Sequence, residues 1–152
     1  MSLWRFFYVA LVLIALVTSG CSEETDPRPK RVPVTGTITY QGAPLPDAAV
    51  AYIPASGGSP AQGTTDSQGI YRLTTFTEND GAIPGTYGIA ISAVIENNRN
   101  SDGTQIYSDE DPRWKPPESL IPKRYNIPSK SQLTSEVKGG EPNVIDFDLK
   151  DK

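Results

Sequence analysis

Residue types that carry out chemistry in enzymes are sparse in this chain of 152 residues. It contains no histidine, which excludes Ser-His-Asp and Cys-His nucleophile systems, histidine-ligated zinc and histidine-based pH switching. Paired carboxylates could act as general acid and base without histidine, at a separation of about 5 to 9.5 Å across a sugar bond. The acidic residues here fall mostly on predicted turns, so a carboxylate-dependent hydrolase ranks last. We expect a protein that is not an enzyme and that uses no cofactor.

The single cysteine, Cys21, is the one reactive group with a defined sequence context. It directly follows Thr18, Ser19 and Gly20 at the end of the uninterrupted apolar run 6–17. A run of this length matches the core of a signal peptide and is shorter than the ~20 apolar residues that a membrane-spanning helix needs. The run therefore predicts an export signal.

The junction at Cys21 resembles the lipobox of bacterial lipoproteins, in which the signal is cut before a cysteine whose thiol receives a diacylglycerol. Ser19 and Gly20 are of the expected type, whereas Thr18 stands where that family usually has leucine. The resemblance implies that 1–20 is a lipoprotein-type signal peptide, that Cys21 is lipidated, and that the protein is held in the cell envelope by its lipid. The alternative is an ordinary signal peptide that leaves a free thiol able to pair between molecules.

The stretch after Cys21 is polar and charged. Because 22–31 contains no apolar residue, it cannot bury surface to offset its ordering entropy, and 21–31 is predicted to be the anchor site followed by a flexible tether. The whole chain has a formal net charge of −4 and no basic cluster, which argues against a nucleic-acid partner. The expected partners are the membrane, through the lipid, and an envelope protein or glycan.

Residues 32–152 carry the pattern of a turn-rich β domain. With 13 glycines and 14 prolines between short apolar runs, the composition favours strands joined by turns. Apolar and polar residues alternate with period two, which is typical of strands buried on one face. Seven strands are predicted, at about 34–40, 48–54, 63–65, 70–76, Tyr87–Ala93, Leu133–Val137 and Ile145–Leu149.

Seven short strands without an amphipathic helix predict two antiparallel sheets packed face to face, an all-β sandwich. Asp66 and Gly69 would close a hairpin, since aspartate can bond its own turn amides and glycine accepts a left-handed backbone. Two rows of side chains would point inward: Tyr71, Leu73 and Thr75, and Tyr87, Ile89, Ile91 and Ala93.

Several segments resemble the carboxypeptidase regulatory-like family in order along the chain: 34–54, 65–73 and 83–89. The later segments 121–125, 131–134 and 143–149 resemble small bacterial lipoproteins that carry one such domain and little else. The resemblance implies a seven-stranded antiparallel sandwich of the transthyretin (prealbumin) type, found in accessory, spacer and adhesive modules of many unrelated proteins. No catalytic residue carries over, because the enzyme branch of this fold uses histidine. A crosslink of the pilin type is also rejected, because the first strand lacks the required lysine.

The segment 96–122 is long for a loop in a compact domain, and such loops are often functional. Its aromatic residues Tyr107 and Trp114, with the nearby Tyr125, could form a stacking platform for a sugar or peptide. The favoured alternative is that Trp114 covers an open end of the sandwich. The acidic residues Asp102 and 109–111 could supply oxygen ligands, but their spacing matches no calcium loop, so no metal site is predicted.

These patterns together predict a lipid-anchored protein of the cell envelope whose sandwich is a structural or binding module without enzymatic activity. The alternative is a carbohydrate- or protein-binding module that acts through the 96–122 loop.

Overall fold

The computed structural model of the chain describes residues 26–95 and 110–151. The predicted signal peptide, Cys21 and Tyr107 lie outside these ranges, as does the part 96–109 of the long segment 96–122. Within the described ranges, none of the helices has the length and apolar character required to cross a bilayer.

The described chain is almost entirely extended. A 3-10 helix, Lys123–Asn126, and a single-turn α-helix, α1 (Pro128–Ser131), are its helical elements. The strands are β1 (Val34–Tyr40), β2 (Ala43–Pro44), β3 (Ala49–Pro54), β4 (Ala61–Thr64), β5 (Ile70–Arg72), β6 (Gly85–Ser92), β7 (Val94–Ile95), β8 (Glu118–Ser119), β9 (Thr134–Val137), β10 (Asn143–Val144) and β11 (Phe147–Leu149). The all-β prediction is confirmed.

Two main sheets share one core, an arrangement consistent with a β-sandwich. The first is centred on β1, which pairs with β10 and β11 on one side and with β2 and β5 on the other. The second has the strand order β4-β3-β6-β9, and the pair β7-β8 forms a small separate sheet. The seven predicted strands overlap β1, β3, β4, β5, β6, β9 and β11. The described residues form eleven strands, and the two-residue strands β2, β7, β8 and β10 were not predicted.

The prediction of purely antiparallel sheets was wrong for the first sheet. Strand β1 runs parallel to both β10 and β11, with Val34 opposite Asn143 and Ile38 opposite Phe147. Between β10 and β11 the pairing is interrupted, and the Asp146 carboxylate accepts the backbone N–H of Thr37 at 2.6 Å. The period-two pattern shows which face of a strand is buried, but it does not fix the partner or direction of that strand.

The predicted hairpin at 63–76 is correct in its turn and wrong in its pairing. Asp66 Oδ1 accepts the backbone N–H groups of Gln68 and Ile70, and Gly69 has a φ of 77°. The two arms nevertheless enter different sheets, since β4 pairs with β3 and β5 pairs with β1. A single bridge, Gln62 with Thr74, joins them directly. The turn therefore carries the chain from one sheet to the other.

Aromatic side chains fill the centre of the core. The ring of Tyr52 lies 6.3 Å from Tyr71, 5.6 Å from Tyr87 and 6.4 Å from Phe147, measured between ring centroids. Of the two rows predicted to face inward, all members are buried except Thr75, which is half-buried.

The tyrosine hydroxyls of the core form a connected network. Tyr52 donates to the Tyr71 hydroxyl at 2.7 Å, and Tyr71 donates to the carbonyl of Ile145 at 2.6 Å. Tyr87 donates to the carbonyl of Ile83, also at 2.6 Å. Among the described residues, every buried polar side-chain atom has a hydrogen-bond partner. A satisfied network of this kind helps to specify one packing arrangement of the core.

Candidate functional site

Tyr125, one of the three aromatic residues predicted to bind a ligand, is a core residue. Only 6% of it is exposed, and its hydroxyl donates to the carbonyl of Lys150 at 3.0 Å and accepts the backbone N–H of the same residue. The Arg124 guanidinium lies 4.5 Å from the centre of its ring. Tyr125 therefore fastens the chain beyond β11 to the domain and presents no open ring face for stacking.

Trp114 is half-buried, and its backbone N–H donates to the carbonyl of Asp111 at 2.8 Å. Partial burial agrees both with a stacking role and with the covering role that the sequence favoured. The structure does not unite the three predicted aromatics in one exposed platform, because Tyr125 is internal and Tyr107 lies outside the described residues.

The described part of the acidic segment is engaged in ion pairing. Asp111 accepts three hydrogen bonds from Arg113, through the side chain and the backbone N–H, and the side-chain bond lowers the pKa of Asp111 to about 2. No group of three or more potential metal-ligating side chains occurs within 26–95 and 110–151.

A cluster that the sequence did not predict joins the N-terminal segment to the domain. We call it the N-terminal clamp, formed by Asp26, Arg28, Arg31, Phe76 and Asp80. Both guanidinium groups lie 5.2 Å from the centre of the Phe76 ring, the arrangement of a cation–π pair. Two basic side chains from the predicted tether are thereby packed on an aromatic ring of the loop that follows β5.

Arg31 is the centre of the clamp. Its Nε lies 3.1 Å from Asp80 Oδ2 and its terminal nitrogen 2.8 Å from Asp26 Oδ2, while another nitrogen donates to the carbonyl of Pro29 at 2.9 Å. The Arg31 side chain is only 14% exposed. Such a planar fork of donors, largely removed from water, is the geometry in which an arginine ion pair contributes more than a surface pair.

Asp80 organises the loop to which Arg31 binds. Its carboxylate accepts the backbone N–H groups of Thr75, Phe76 and Thr77. Burial alone would raise the pKa of Asp80, but these amide hydrogen bonds outweigh it and the pKa lies below the ordinary value. The carboxylate is therefore charged at neutral pH and can hold Arg31.

Backbone pairing extends the clamp into the domain. Val32 and Ala82 exchange hydrogen bonds of 2.9 and 3.0 Å. Gly81 adjoins this bridge, and a Cβ there would lie 1.8 Å from the carbonyl oxygen of Val32. The described part of the predicted tether, 26–31, thus lies against the domain in this structure.

Asp80→Ala is expected to release the N-terminal segment. The variant loses the one ion-pair partner of Arg31 that lies in the domain and the acceptor of three amides. Trypsin should therefore cleave after Lys30 or Arg31 roughly tenfold faster, because cleavage follows the open population. Cleavage after Lys138, in an exposed turn, serves as the internal reference. Glu78→Ala removes an exposed acid from the same loop and should leave the rate unchanged; equal rates in both variants would contradict the clamp.

The second candidate site is a shallow groove of about 690 Å³ on the outer face of the second sheet. We call it the sheet groove. Its floor consists of the small side chains of Ala49, Ala51 and Ala90. Across the three strands, Ala51 lies between Gln62 and Ala90, and Ala49 lies between Thr64 and Ser92. Because these side chains end close to the backbone, the floor lies below its surroundings.

Two walls border this floor. The segment 72–79 contributes Arg72, Thr74, Glu78 and Asn79, and Asn126 of the 3-10 helix stands opposite. The adjoining α1 covers the same face of the sheet at Gly88, which lies two residues before Ala90 in β6. A Cβ on Gly88 would lie 3.5 Å from Pro128. The groove is the part of this face that the helical segment leaves uncovered. Sequence reasoning missed it because outward-facing alanines resemble ordinary solvent-exposed strand positions.

Comparison with known proteins yields no family. No family model and no curated protein matches the chain. Two solved structures are similar to it: a DUF3823 family protein from Parabacteroides merdae (13% identity, TM-score 0.36, covering 81% of this chain and 46% of that one) and a 9R-lipoxygenase from Cyanothece (12% identity, TM-score 0.39, covering 97% and 23%). The chain thus spans less than half of either protein, and TM-scores this low support no argument about fold or function. The class that the described residues define is a small all-β domain with a sandwich-like arrangement.

Proposed function

We propose that this protein is a lipid-anchored component of the cell envelope whose β domain is displayed as a structural or binding module, without enzymatic activity of its own. The single observation that carries the proposal is the apolar run 6–17 followed by Thr18, Ser19, Gly20 and Cys21. The apolar run followed by small residues matches an export signal, and its junction with Cys21 resembles the lipobox of bacterial lipoproteins, with Thr18 in place of the usual leucine.

The contacts of the N-terminal clamp with the domain also support the proposal. A lipid anchor fixes the orientation of a domain only if the segment between them is itself attached to the domain. Arg28 and Arg31 attach this segment to Phe76 and Asp80. In sequence, only 22–25 separates the lipidated residue from Asp26, where the clamp begins. The domain would therefore be held close to the membrane surface with the clamp toward it.

The resemblance to the carboxypeptidase regulatory-like family fits the same proposal. Domains of that family serve as accessory, spacer and adhesive modules, and the confirmed all-β architecture is what such a module requires. The long segment after β7 remains the site of the alternative proposal, a binding module acting through Trp114, since this side chain is partly exposed.

Labelled palmitate fed to cells that express the full-length protein is expected to enter the wild type and not a Cys21→Ser variant, because the thiol is the sole attachment point in the chain. Ser22→Ala, one residue further on, should be labelled like the wild type. Equal labelling of wild type and Cys21→Ser, or no labelling of either, would remove the anchoring part of the proposal.

A further inference from the structure

We propose that the sheet groove is a binding site for a neutral oligosaccharide. The inference goes beyond the display function and does not depend on the lipid anchor, because it is carried by the shape and side chains of the groove alone.

The floor suits the apolar face of a sugar ring. Ala49, Ala51 and Ala90 present methyl groups on the same face of two neighbouring strands, and Ile70 adds a larger apolar side chain to the lining. A pyranose ring carries C–H groups on its faces and hydroxyls around its edge. The groove volume, about 690 Å³, is within the range of small-ligand sites and can hold more than one such ring.

The margins suit the hydroxyls. The carboxamides of Gln62, Asn79 and Asn126 line the groove, and each carries both an acceptor oxygen and two N–H donors. These amides take part in no other side-chain hydrogen bond within the described part of the chain. Neighbouring sugar hydroxyls both donate and accept, so an amide can engage a pair of them at once. Ser92 and Thr64 add hydroxyl groups beside the floor.

Charge argues against an ionic ligand. The groove is lined by one cationic side chain, Arg72, and two carboxylates, Asp66 and Glu78. With both signs present, neither a polyanion nor a polycation gains a consistent attraction along it.

An extended peptide fits this surface less well than a sugar. Peptides commonly add to the free edge of a sheet, where backbone groups are unpaired. Here the strand beneath the ligand, β3, already pairs with β4 on one side and with β6 on the other. A peptide on this face would have to satisfy its own backbone groups with side chains alone.

The test is binding of the full-length protein in detergent to a panel of neutral tetrasaccharides of glucose, mannose, galactose and N-acetylglucosamine, with tetraalanine as the peptide probe. At least one sugar is expected to bind by calorimetry at millimolar concentration or below. Ala51→Phe fills the floor and should abolish binding. The double variant Gln62→Ala, Asn126→Ala keeps the floor and should weaken binding roughly tenfold or more through its lost hydrogen bonds.

Ala43→Phe places the same ring at an exposed position of the first sheet and should bind like the wild type. The two exposed amide substitutions also keep the test valid if Ala51→Phe fails to fold. The proposal is overturned if no sugar of the panel binds, if only tetraalanine binds, or if the sugar binds the groove variants and the wild type equally.

Discussion

Gly36→Ala is expected to destabilise the fold strongly. A Cβ at this position would lie 1.7 Å from the carbonyl oxygen of Ile145 and 3.0 Å from a ring carbon of Tyr71. The first contact is with backbone, which cannot rotate away, and the carbonyl is held in place because it accepts the Tyr71 hydroxyl. Relieving the clash requires β1 to move away from the segment at Ile145. We therefore expect a loss of more than about 4 kcal/mol in the free energy of unfolding.

Urea denaturation followed by circular dichroism measures this effect, and the melting temperature should fall by more than about 10 °C. Gly88→Ala is the matched control, since Gly88 also lies within a strand but a Cβ there would make only an ordinary 3.5 Å contact with Pro128. Its free energy of unfolding should change by less than about 1 kcal/mol. Similar losses in both variants would mean that the close approach at Gly36 is not the cause.

A marked loss of stability is expected as the pH rises from about 10 to about 12. Burial raises the pKa of Tyr52 to about 12 against the opposing hydrogen bonds from Tyr71 and Ser135, and burial with the adjacent Tyr52 raises the pKa of Tyr71 further. In the unfolded chain both phenols ionise near pH 10. Between the two pKa values the unfolded state binds fewer protons than the folded state, so the free energy of unfolding falls with increasing pH.

The contribution of both groups is fully present below about pH 10 and is lost as the pH approaches the folded pKa, about 12 for Tyr52. For Tyr52 alone the loss is about 2–3 kcal/mol. Urea denaturation at stepwise increasing pH measures it, and the part of the tyrosinate absorbance that belongs to Tyr52 and Tyr71 should appear together with unfolding. The Tyr52→Phe, Tyr71→Phe double variant should show a shallower decline, and an unchanged slope would contradict this account of the core.

Local chemistry made part of this fold predictable. The alternation of Tyr87, Ile89, Ile91 and Ala93 with outward residues gave both the strand and its buried face, because period two is a property of the strand itself. The turn at Asp66 was equally readable, since the carboxylate bonds amides only a few residues away. Such signals need no information about distant parts of the chain.

The features that were missed depend on distant partners. The parallel pairing of β1 with β11 has no local signature, because a strand that alternates correctly can pair in either direction. The clamp depends on Arg31 meeting Asp80, 49 residues away. It also depends on guanidinium groups packing on a ring, whereas the lack of apolar residues in this segment had been taken to predict a flexible tether. Tyr125 was named as a possible member of a stacking platform, and its burial was not foreseen because its partner, Lys150, is also distant in the sequence.

The pairing of β1 with β11 has a consequence for biosynthesis. Thr39 and Asp148 are bonded across 109 positions, so the first sheet cannot close until β11 has been synthesised. Contacts between residues so far apart in the sequence slow folding, and a growing chain that lacks β11 has no complete core. The topology itself therefore delays compaction of the domain until residues 147–149 have been added.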